Sequence, residues 1–457
     1  LRHPYYGNKL FENTGNKFVE VSEGSGINGT GINFGLSASI SDLNNDGYPD
    51  IYVTNDYVEQ DFCYINQQNG TFKDISKSAF GHLSKFSMGS DIADLNNDQK
   101  PDVFVLDMLP EDNYRQKVLK GPDQFNRERT LVDSGYHHQY MRNTLQLNRS
   151  VSADSSLAFS EQAQLSGVSN TDWSWAPLLA DFDNDGLKDI FITNGYLRDF
   201  SNLDFTNYTV NEAISQAQQS HSNVDIGLLV SKMSSTKVSN YVYKNKGEAQ
   251  FVDKTSEWGI EKKTVSNAAA YADFDNDGDL DLIVNNLNAP ISLYQNNTNN
   301  LNHNYLKIQL EGSGQNAKAL GAKVLLKLND STTVYQEVYY GRGYQSSVEP
   351  VLTLGTGAIQ NVDELKILWP GGKTSVLKDF KVNQTLVLKE EDAEAYASSG
   401  SNEAQAFFKD ITKTSNLEFK HQENAYQDFN SENLILYRAS MLGGKASVAD
   451  LNNDGND

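Results

Sequence analysis

The residues with the clearest chemistry are acidic and amide side chains that recur in short segments of one pattern. Four complete nine-residue segments carry side-chain oxygens at positions 1, 3, 5 and 9, and position 6 is glycine in three of them. Ca²⁺ takes six to eight oxygen ligands and tolerates an irregular arrangement, which Mg²⁺ does not. The alternation, together with a glycine that permits a tight bend, predicts a calcium-binding loop in each segment. A fifth segment of the same type stops one residue short.

The predicted ligands include the residue at position 7 of each loop, which would contribute its backbone carbonyl oxygen. We expect about four to five Ca²⁺ ions with a structural role, because the loop recurs in every unit whereas a catalytic metal would occur once. In order of loops one to five, the predicted ligands are Asp42, Asn44, Asp46, Tyr48 and Asp50; Asp94, Asn96, Asp98, Lys100 and Asp102; Asp181, Asp183, Asp185, Leu187 and Asp189; Asp273, Asp275, Asp277, Asp279 and Asp281; and Asp450, Asn452 and Asp454.

The loops differ from an EF-hand and from one another. Position 12, a bidentate Glu in an EF-hand, is here an apolar residue such as Val53 or Ile192. Loops three and four hold four carboxylates each, loops one and two hold three, and more ligand charge favours tighter binding. We therefore expect loops three and four to bind best and loop two to bind worst, because Gln99 replaces its glycine. The alternative is an Asx-rich turn without a metal, which four loops of the same oxygen spacing disfavour.

The segments around the loops repeat as well and indicate an all-β fold. Each unit has a strand ending in Asn, a turn, a strand that begins with Phe, a further strand of small and apolar residues, the acidic loop and a last strand. Four short strands per repeat predict β-propeller blades over residues 1–300. Two insertions, at roughly 108–140 and 197–238, lengthen the spacing between loops. Insertions of repeat proteins commonly share one face, often the binding face, so we expect these two to contact a partner.

The sequence changes character after the repeats. A strand ending at Asn296 suggests the start of a fifth unit, but residues 303–390 then carry alternating strands with Gly and Asn turns, which predicts a small antiparallel β-sandwich. Residues 391–405, rich in Glu, Ala and Ser, are interpreted as a linker. Residues 406–457 return to the repeat style, so we expect a second propeller or a further blade to begin there.

The composition limits the class of partner. The 457 residues carry 38 Lys and Arg against 60 Asp and Glu, a net charge of −22, which disfavours nucleic acid and anionic membrane surfaces as partners. Apolar residues make up 38%, enough for a folded core. No membrane-spanning segment is expected, because no stretch of 18 apolar residues occurs. The single cysteine, Cys63, excludes an internal disulfide and falls within a predicted strand.

These features resemble two known families. The Asp-Phe-Asp-Asn-Asp-Gly loops with their flanking Phe and Asn are similar to FG-GAP/VCBS repeats, the blades of integrin-α-like propellers. The segment with Gly321-Ala-Lys-Val324, Gly341-Arg-Gly-Tyr-Gln-Ser-Ser347 and Trp369-Pro-Gly-Gly372 resembles the ASPIC/UnbV domain. The combination is similar to large CRTAC-like exported proteins of Bacteroidota.

The resemblance implies a location and a partner. Similar proteins are often surface lipoproteins encoded near TonB-dependent nutrient transporters, which implies a location at the extracellular face of the outer membrane or secretion. It also implies a TonB-dependent transporter complex as the protein partner. The chain starts at Leu1 without a signal segment, and we interpret it as an excerpt from a longer protein. Cys63 cannot serve as the lipid anchor, because it lies within a strand.

The function that these features favour is non-enzymatic binding or scaffolding. A polysaccharide- or peptide-degrading enzyme stays open, because a catalytic carboxylate pair cannot be separated from calcium ligands by sequence. Lectin-like capture of a glycan by Trp and Tyr is a third hypothesis. Trp173 and Trp175 share one face of a strand and are interpreted as blade core rather than as a sugar platform. The pair His137-His138 is interpreted as packing or solvated surface.

Overall fold

The protein is mostly β-strand, as predicted, and is described here from a computed structural model. Leu1–Ser399 forms one compact unit and Gly400–Asp457 a second. Loop five lies outside the described residues; within the second unit one short helix, Asp428–Ser431, is described. No helix in the described part of the chain is long and apolar enough to cross a membrane. The described residues are 3, 5–119, 125–150, 157–329, 332–395, 414, 420–422, 426, 428–432 and 440.

Short strands account for most of the repeat region. They are β1 (Phe11–Asn13), β2 (Phe18–Glu20), β3 (Gly35–Ser41), β4 (Asp50–Asn55), β5 (Phe62–Asn66), β6 (Phe72–Asp74), β7 (Leu83–Ser84), β8 (Ser90–Ala93), β9 (Asp102–Val105), β10 (Gln139–Tyr140), β11 (Thr144–Asn148), β12 (Phe159–Glu161), β13 (Ser174–Ala180), β14 (Asp189–Asn194), β15 (Val238–Ser239), β16 (Tyr241–Asn245), β17 (Phe251–Asp253), β18 (Lys263–Thr264), β19 (Ser266–Ala272), β20 (Asp281–Asn286) and β21 (Ser292–Tyr294).

These strands form four repeated antiparallel sheets. Sheets one to three have the orders β3-β4-β5-β6, β8-β9-β11-β12 and β13-β14-β16-β17, and sheet four has the order β19-β20-β21. In each sheet the first and second strands flank an acidic loop. The first strands of neighbouring sheets contact one another, so they line the inside of the arrangement. The remaining pairs are β1-β2, β7-β10 and β15-β18.

The sheets group the repeat differently from the sequence unit. The strand that ends in Asn and the strand that begins with Phe belong to the sheet of the preceding acidic loop. Asn66 explains this grouping, because its backbone N–H donates to Asp50 Oδ1 at 2.8 Å and its side-chain amide donates to the Pro49 carbonyl at 3.2 Å. The strand before Asn296 is therefore the third strand of sheet four, and the prediction that it starts a fifth unit is wrong.

Apolar cores fill the space between neighbouring sheets. One core joins Tyr52 and Cys63 of sheet one to Val103 of sheet two, and the next joins Phe104 of sheet two to Ile190 of sheet three. A third core lies between sheets three and four. Successive side chains of a strand point to opposite faces, so neighbouring residues of one strand enter different cores. Sheets that pack face to face in this way have the architecture of propeller blades.

Both insertions lie on one face of the propeller. A one-turn helix, α1 (Ser76–Ala79), precedes them. Each insertion leaves the second strand of its sheet at the end opposite the acidic loop. The first contains α2 (Asn113–Leu119) and α3 (Phe125–Asp133), and the second contains a π-helical segment (Phe205–Val210), α4 (Asn211–Gln219) and α5 (Ile226–Ser231).

The region after the repeats forms a two-sheet sandwich around its own apolar core. Its sheets have the orders β27-β22-β30 and β24-β23-β28-β29-β31, and β25-β26 is a separate hairpin. The elements are β22 (Asn304–Glu311), β23 (Lys323–Lys327), β24 (Thr333–Glu337), β25 (Gly341–Arg342), β26 (Ser346–Ser347), β27 (Val351–Gly357), β28 (Asn361–Trp369), β29 (Lys373–Lys381), β30 (Gln384–Lys389) and β31 (Glu394–Ala395), with 3₁₀ turns at Thr298–Leu301 and Glu390–Asp392.

Two details of the sandwich differ from expectation. The strands β22 and β30 run parallel, so the sandwich is not purely antiparallel. The last strand, β31, pairs with β29, so the sheet extends to Ala395, into the segment interpreted as a linker. Glu390 holds this end in place, because it is buried and its Oε2 accepts both the N–H and the hydroxyl of Ser313 at 2.8 Å.

The hairpin β25-β26 leaves the sandwich and enters the axis of the propeller. It contacts the first strand of every one of the four sheets. Arg342 Nη1 donates to Asp91 Oδ1 at 2.9 Å, and both residues are buried. Gly343 has φ +62°, and a Cβ there would lie 2.7 Å from the Pro177 carbonyl oxygen, so this crossing requires glycine. The sandwich docks at the acidic-loop end, where Lys323 pairs with Asp42 and Lys307 pairs with Asp273. The hairpin tip with Tyr344 packs against Trp175 at the insertion face.

Candidate functional site

The four complete acidic loops occupy equivalent places in their sheets. The carboxylates at positions 1 and 9 are buried, with 0% to 7% of their surface exposed. Position 9 is also the first residue of the second strand, so the sheet fixes its location. These eight residues are Asp42, Asp50, Asp94, Asp102, Asp181, Asp189, Asp273 and Asp281.

Backbone hydrogen bonds shape the loops in a common way. In loop one, Asp42 Oδ1 accepts the N–H of Asp46 at 3.0 Å, and its Oδ2 accepts the N–H of Gly47 at 2.6 Å. Asp50 Oδ1 accepts the N–H of Asn66, in the third strand, at 2.8 Å. The same contacts recur in loops two, three and four. Positions 1 and 9 therefore close each loop and join it to the rest of the sheet.

Two residues with positive φ give each loop its bend. Position 4 is Asn throughout, with φ between +56° and +60°. Position 6 has φ between +91° and +98° where it is glycine, and Gln99 has φ +66° in loop two. A side chain in this region costs about 1–2 kcal/mol, and glycine avoids that cost. Gln99 therefore holds a left-handed backbone conformation that the glycines of the other loops adopt without this cost.

Loops three and four bring three carboxylates together. Positions 1, 3 and 9 of each loop offer one oxygen apiece, and in each loop the three oxygens lie within 4.8 Å of one another. An all-oxygen, anionic donor set of this kind suits a hard divalent cation. Loops one and two have an amide at position 3 and so offer one carboxylate fewer. The groups are Asp181, Asp183 and Asp189, and Asp273, Asp275 and Asp281.

Positions 5 and 7 are linked through the backbone and lie outside these groups of three. Asp185 Oδ1 accepts the N–H of Leu187 at 2.9 Å, and Asp277 Oδ1 accepts the N–H of Asp279 at 3.2 Å. The Asp279 carboxylate turns towards the end of the blade, where its Oδ2 accepts the N–H of Thr298 at 2.9 Å. At position 7 the backbone carbonyl is thus the group left for a cation.

Burial raises the pKa of several loop carboxyls, because the charged form loses its hydration. The pKa of Asp50 and that of Asp181 rise to about 7, and the pKa of Asp94 rises to about 6. Burial also raises the pKa of Asp102 and of Asp189 well above the usual range. Neighbouring loop carboxylates add to the effect. A dication bound beside these carboxyls would favour their charged forms.

Two lysines of the sandwich reach the first carboxylates of loops one and four. Lys323 Nζ lies 2.6 Å from Asp42 Oδ2, and Lys307 Nζ lies 2.7 Å from Asp273 Oδ2. Both lysines are 9% exposed. The oxygen that they bind is the one that also accepts the amide of position 6. The lysines therefore orient a predicted ligand from a second layer of contacts.

In loop three, the ammonium group of Lys244 contacts two of the predicted ligands. Lys244 Nζ contacts the carboxylate of Asp183 and lies 2.7 Å from Asp185 Oδ2, which are positions 3 and 5. Burial lowers the pKa of Lys244. The equivalent residue beside loop four is Gln295, whose neutral amide donates to Asp275 Oδ2 at 2.6 Å. An ammonium group that binds two predicted ligands would compete with a metal ion in loop three, whereas the ammonium group of Lys307 contacts position 1 of loop four.

A second candidate site lies between the two insertions, on the face opposite the acidic loops. It is a narrow cleft, lined by residues of both insertions and of sheet three. We call it the insertion cleft and define it by Met108, Arg115, Asp172, Trp173, Tyr196 and Arg198.

The structure corrects the interpretation of the tryptophan pair. Trp173 and Trp175 are half-buried and belong to none of the apolar cores between sheets. Their rings lie 6.3 Å apart at 23° and join Tyr196, Phe200 and Tyr344 in an aromatic cluster at the insertion face. The alternation correctly places both rings on one side of the strand, but no neighbouring sheet covers that side.

The histidine pair is engaged within the blade surface. His137 donates its backbone N–H to Gln60 Oε1 at 2.9 Å, and its Nε2 lies 2.9 Å from the Phe80 carbonyl oxygen. His138 Nδ1 lies 3.1 Å from Glu128 Oε1. Each ring has a separate partner, which agrees with packing and surface roles.

A further buried carboxylate lies outside the loops. Asp61 Oδ1 accepts the N–H of Asn55 at 2.8 Å, and its Oδ2 accepts the hydroxyls of Ser87 at 2.8 Å and Tyr52 at 2.9 Å. Burial raises its pKa to about 7. Both oxygens are occupied by donors of the blade, which assigns Asp61 a structural role.

Sequence reasoning missed the basic residues at the junction of propeller and sandwich. Lys323, Lys307 and Arg342 form buried ion pairs with propeller carboxylates, and Lys188 Nζ donates to the Tyr335 carbonyl at 2.8 Å. Arg342 offered a signal, because it stands between two glycines. The lysines follow ordinary strand alternation and are indistinguishable in sequence from solvent-facing ones.

Two protein families match parts of this chain. The family described as FG-GAP-like repeat matches residues 42–105 and 225–284, and the family described as ASPIC and UnbV matches residues 312–395. The resemblance drawn from the sequence is thereby confirmed: the chain contains FG-GAP-like repeats, which imply a β-propeller, and an ASPIC/UnbV domain.

Curated relatives are similar at low identity. Cartilage acidic protein 1 of Mus musculus is 24% identical over 343 residues, covering 74% of this chain and 42% of the relative. Cartilage acidic protein 1 of Homo sapiens is 24% identical over 359 residues, covering 77% and 42%. The chain thus spans less than half the length of these relatives. The crystal structure of the V. cholerae biofilm matrix protein Bap1 aligns with 82% of this chain and 53% of that chain at 12% identity, with a TM-score of 0.24.

Proposed function

We propose that this chain, with its FG-GAP-like repeats and ASPIC/UnbV domain, is a calcium-stabilised binding or scaffolding protein without catalytic activity. Both families are non-catalytic in general, which supports this role. The observation that carries the proposal is the insertion cleft, in which both insertions meet at one end of blades that hold acidic loops at the other. Loops displayed on a rigid scaffold are a common means of recognition.

Calcium would be the structural cation of the blades. Each ion would join the first two strands of a sheet through positions 1 and 9, and position 9 is already bonded to the third strand. It would also neutralise carboxylates whose charge is costly when buried. The close groups of carboxylate oxygens in loops three and four support this assignment.

We further propose a location at the extracellular face of the outer membrane or in the medium, with a TonB-dependent transporter complex as the partner. This part rests on the resemblance to exported bacterial proteins with the same two domains. The net charge of −22 also favours a protein partner over nucleic acid.

The test is affinity purification of the tagged full-length protein from its native host, with the envelope solubilised in calcium. The proposal predicts that an outer-membrane transporter co-purifies in stoichiometric amount, and that EDTA reduces its recovery. A parallel purification of an unrelated tagged surface protein controls for non-specific capture. Recovery of the protein alone would contradict a stable scaffolding role.

A further inference from the structure

Sheet four lacks the fourth strand that completes the other three sheets. In sheets one to three, the strand that ends in Asn pairs on its outer side with a strand that begins with Phe. In sheet four, β21 pairs with β20 on its inner side, and no strand of the described residues pairs with its outer side. The outer edge of β21 is therefore open to a strand from elsewhere.

The register of sheet one identifies the backbone groups at this open edge. Leu293 pairs with Ile283, the third residue of β20, and so occupies the place of Cys63. The Cys63 carbonyl accepts the N–H of Ile75, the residue after β6, at 2.9 Å, and the Cys63 N–H donates to Ser76 Oγ at 2.8 Å. No group among the described residues takes these places at Leu293, so its N–H and its carbonyl face outward without a strand partner.

Equivalent bonds in sheets two and three define what a fourth strand contains. The carbonyls of Leu145 and Val242 accept the N–H of the residue after strand four at 2.8 and 2.9 Å. Their own N–H groups donate to side-chain oxygens of Glu161 and Thr255 at 3.3 and 3.1 Å. The common pattern has Phe, an acidic residue and a small residue, mostly Ser or Thr, at alternate positions. Its described copies are Phe18-Val-Glu-Val-Ser22, Phe72-Lys-Asp-Ile-Ser76, Phe159-Ser-Glu-Gln-Ala163 and Phe251-Val-Asp-Lys-Thr255.

Side chains beside the edge fit the same pattern. Phe251 of sheet three packs against the core that contains Tyr243. Tyr294 is the equivalent of Tyr243, and both Tyr294 and Trp258 lie half-buried against the core between sheets three and four. A Phe added at the edge would extend this core, because it would lie on the face of Tyr294. Lys262 is exposed, and its Nζ lies 3.4 Å from the hydroxyl of the first residue of β21, which favours an acidic residue nearby.

The described part of the chain does not supply the strand. Its four copies of the pattern are already paired, so a second copy of this chain offers no free one from these residues. The pattern occurs again at Phe408–Thr412, outside the described residues, and Gly400–Asp457 forms a compact unit of its own. An open edge of this kind favours addition of a strand from another protein, in which main-chain hydrogen bonds give affinity and side-chain contacts give specificity.

We propose that the outer edge of β21 binds an extended strand of another protein, with Phe, an acidic residue and Ser or Thr at alternate positions. The strand runs antiparallel to β21, its backbone bonds the N–H and the carbonyl of Leu293, and its Phe packs beside Tyr294. This inference rests on the proposed binding function and names the kind of segment by which a protein partner is recognised.

The experiment measures binding of a fluorescent peptide with the sequence of residues 70–77, Gly-Thr-Phe-Lys-Asp-Ile-Ser-Lys, to the full chain in calcium by fluorescence anisotropy. We expect saturable binding that weakens at least about tenfold when the peptide carries Phe72→Ala or an N-methylated Ile75, whose N–H would donate to the Leu293 carbonyl. N-methylation at Asp74 is the matched control and should have little effect, since alternate N–H groups of a strand face opposite edges.

A substitution in the protein tests the same edge. Leu293→Pro removes the outward N–H, whereas the bonds to β20 involve its neighbours. It should weaken peptide binding at least about tenfold. Leu293→Ala is the control, because it keeps the N–H and shortens a side chain that is 64% exposed. The melting temperature of each variant checks folding, and if Leu293→Pro does not fold, the N-methylated peptides test the bond on the natural protein.

The outcomes separate this inference from the proposed function. Absence of peptide binding, with a transporter still recovered by affinity purification, overturns the edge site and leaves the scaffolding role intact. Binding that is unchanged by Leu293→Pro and by N-methylation at Ile75 places the peptide elsewhere and also overturns the site. Binding only to the double variant Phe408→Ala/Asp410→Ala would mean that a segment of the chain itself competes for the edge, which overturns an external partner. Binding with the expected losses supports the edge site even when no transporter is recovered.

Discussion

A buried carboxylate is stabilised by a proton, a hydrogen-bond donor or a cation beside it, and the acidic loops supply both donors and lysine cations. Asp42 shows the pattern: its two oxygens accept backbone amides, and Lys323 supplies a positive charge. At loop four the same contacts recur, with Lys307 in the place of Lys323. The individual loop residues therefore predict how the four sites differ.

Replacing the strained residue of loop two, Gln99, with glycine should stabilise the folded protein. Gln99 holds φ +66°, where the other loops have glycine, so Gln99→Gly relieves a left-handed side chain. We expect the free energy of unfolding in calcium to rise by about 0.5–1 kcal/mol, measured by denaturant titration. Gly47→Ala, at φ +91° with no atom within 4 Å of the added Cβ, is the reverse control and should destabilise. An unchanged or lower stability of Gln99→Gly would contradict this reading of the loop.

Loop three should bind calcium more tightly when its lysine is neutralised. Lys244→Gln reproduces the residue beside loop four, Gln295, and frees Asp183 and Asp185 from an ammonium group. We expect calorimetric titration with Ca²⁺ to show one site with about tenfold higher affinity, the equivalent of about 1.4 kcal/mol. Equal titration curves for the variant and the natural protein would mean that Lys244 does not compete with the metal.

The buried Asp61 should make stability fall as pH rises. Its pKa in the folded protein is about 7, above the usual 3.8, so the folded state holds a proton that the unfolded state has already lost. The stability due to this group is present below about pH 4 and is lost as pH rises through about 7. Asp61→Asn removes the ionisable group but keeps a side-chain carbonyl that accepts hydrogen bonds. The free energy of unfolding of this variant, relative to that of the natural protein, should therefore increase by about 1–3 kcal/mol from about pH 4.5 to about pH 7.5. Denaturant unfolding at both pH values, in excess calcium, measures this; a constant difference between the two proteins would refute the raised pKa.

At the scale of elements, the hairpin β25-β26 joins the sandwich to the propeller. It lies among the first strands of all four sheets, and Arg342 pairs with Asp91 inside. The sandwich is thus tied to the axis of the blades as well as to the acidic loops. The tip adds Tyr344 to the aromatic cluster, so the same hairpin connects the two ends of the propeller.

Breaking the axial ion pair should destabilise the whole unit. Arg342→Met leaves Asp91 buried without its cation, and removal of one partner from a buried pair typically costs about 3–5 kcal/mol. The double variant Arg342→Met/Asp91→Asn removes the isolated charge and should recover part of the loss. Chemical unfolding of both variants tests this. If the single variant loses less than about 1 kcal/mol of unfolding free energy, the ion pair of the hairpin does not hold the unit together.

Sequence patterns account for those parts of the fold that depend on neighbours in the chain. Strand alternation and the spacing of Asp and Asn identified the blades, the loops and the sandwich. The hydrogen bond between Asn66 and Asp50 was not predicted, because the sequence pattern does not indicate which acidic loop the strand that ends in Asn is bonded to.

Contacts between distant segments could not be predicted. The pair of Lys323 with Asp42 and the pair of Arg342 with Asp91 each join residues more than two hundred positions apart, and nothing local distinguishes them. The interpretation of the tryptophan pair as blade core was wrong for a related reason. Alternation assigns Trp173 and Trp175 to one side of a strand, but whether another sheet covers that side depends on the insertions and on the hairpin tip.

At the scale of the whole molecule, the account requires that cations in the loops stabilise the propeller. An ion that binds only the folded state adds about 2.7 kcal/mol per site at one hundred times its dissociation constant. Several such sites would raise the melting temperature by many degrees, since 1 kcal/mol corresponds to a few degrees in a unit of this size. Mg²⁺ should substitute poorly, because it demands octahedral geometry.

The most direct test of this central claim is thermal unfolding of the full chain after chelation, followed by titration with Ca²⁺ or Mg²⁺. We predict that excess EDTA lowers the melting temperature by at least about 5 °C, that Ca²⁺ restores it, and that Mg²⁺ at the same concentration does not. A melting temperature that is the same in EDTA and in calcium would contradict the assignment of the acidic loops as structural calcium sites.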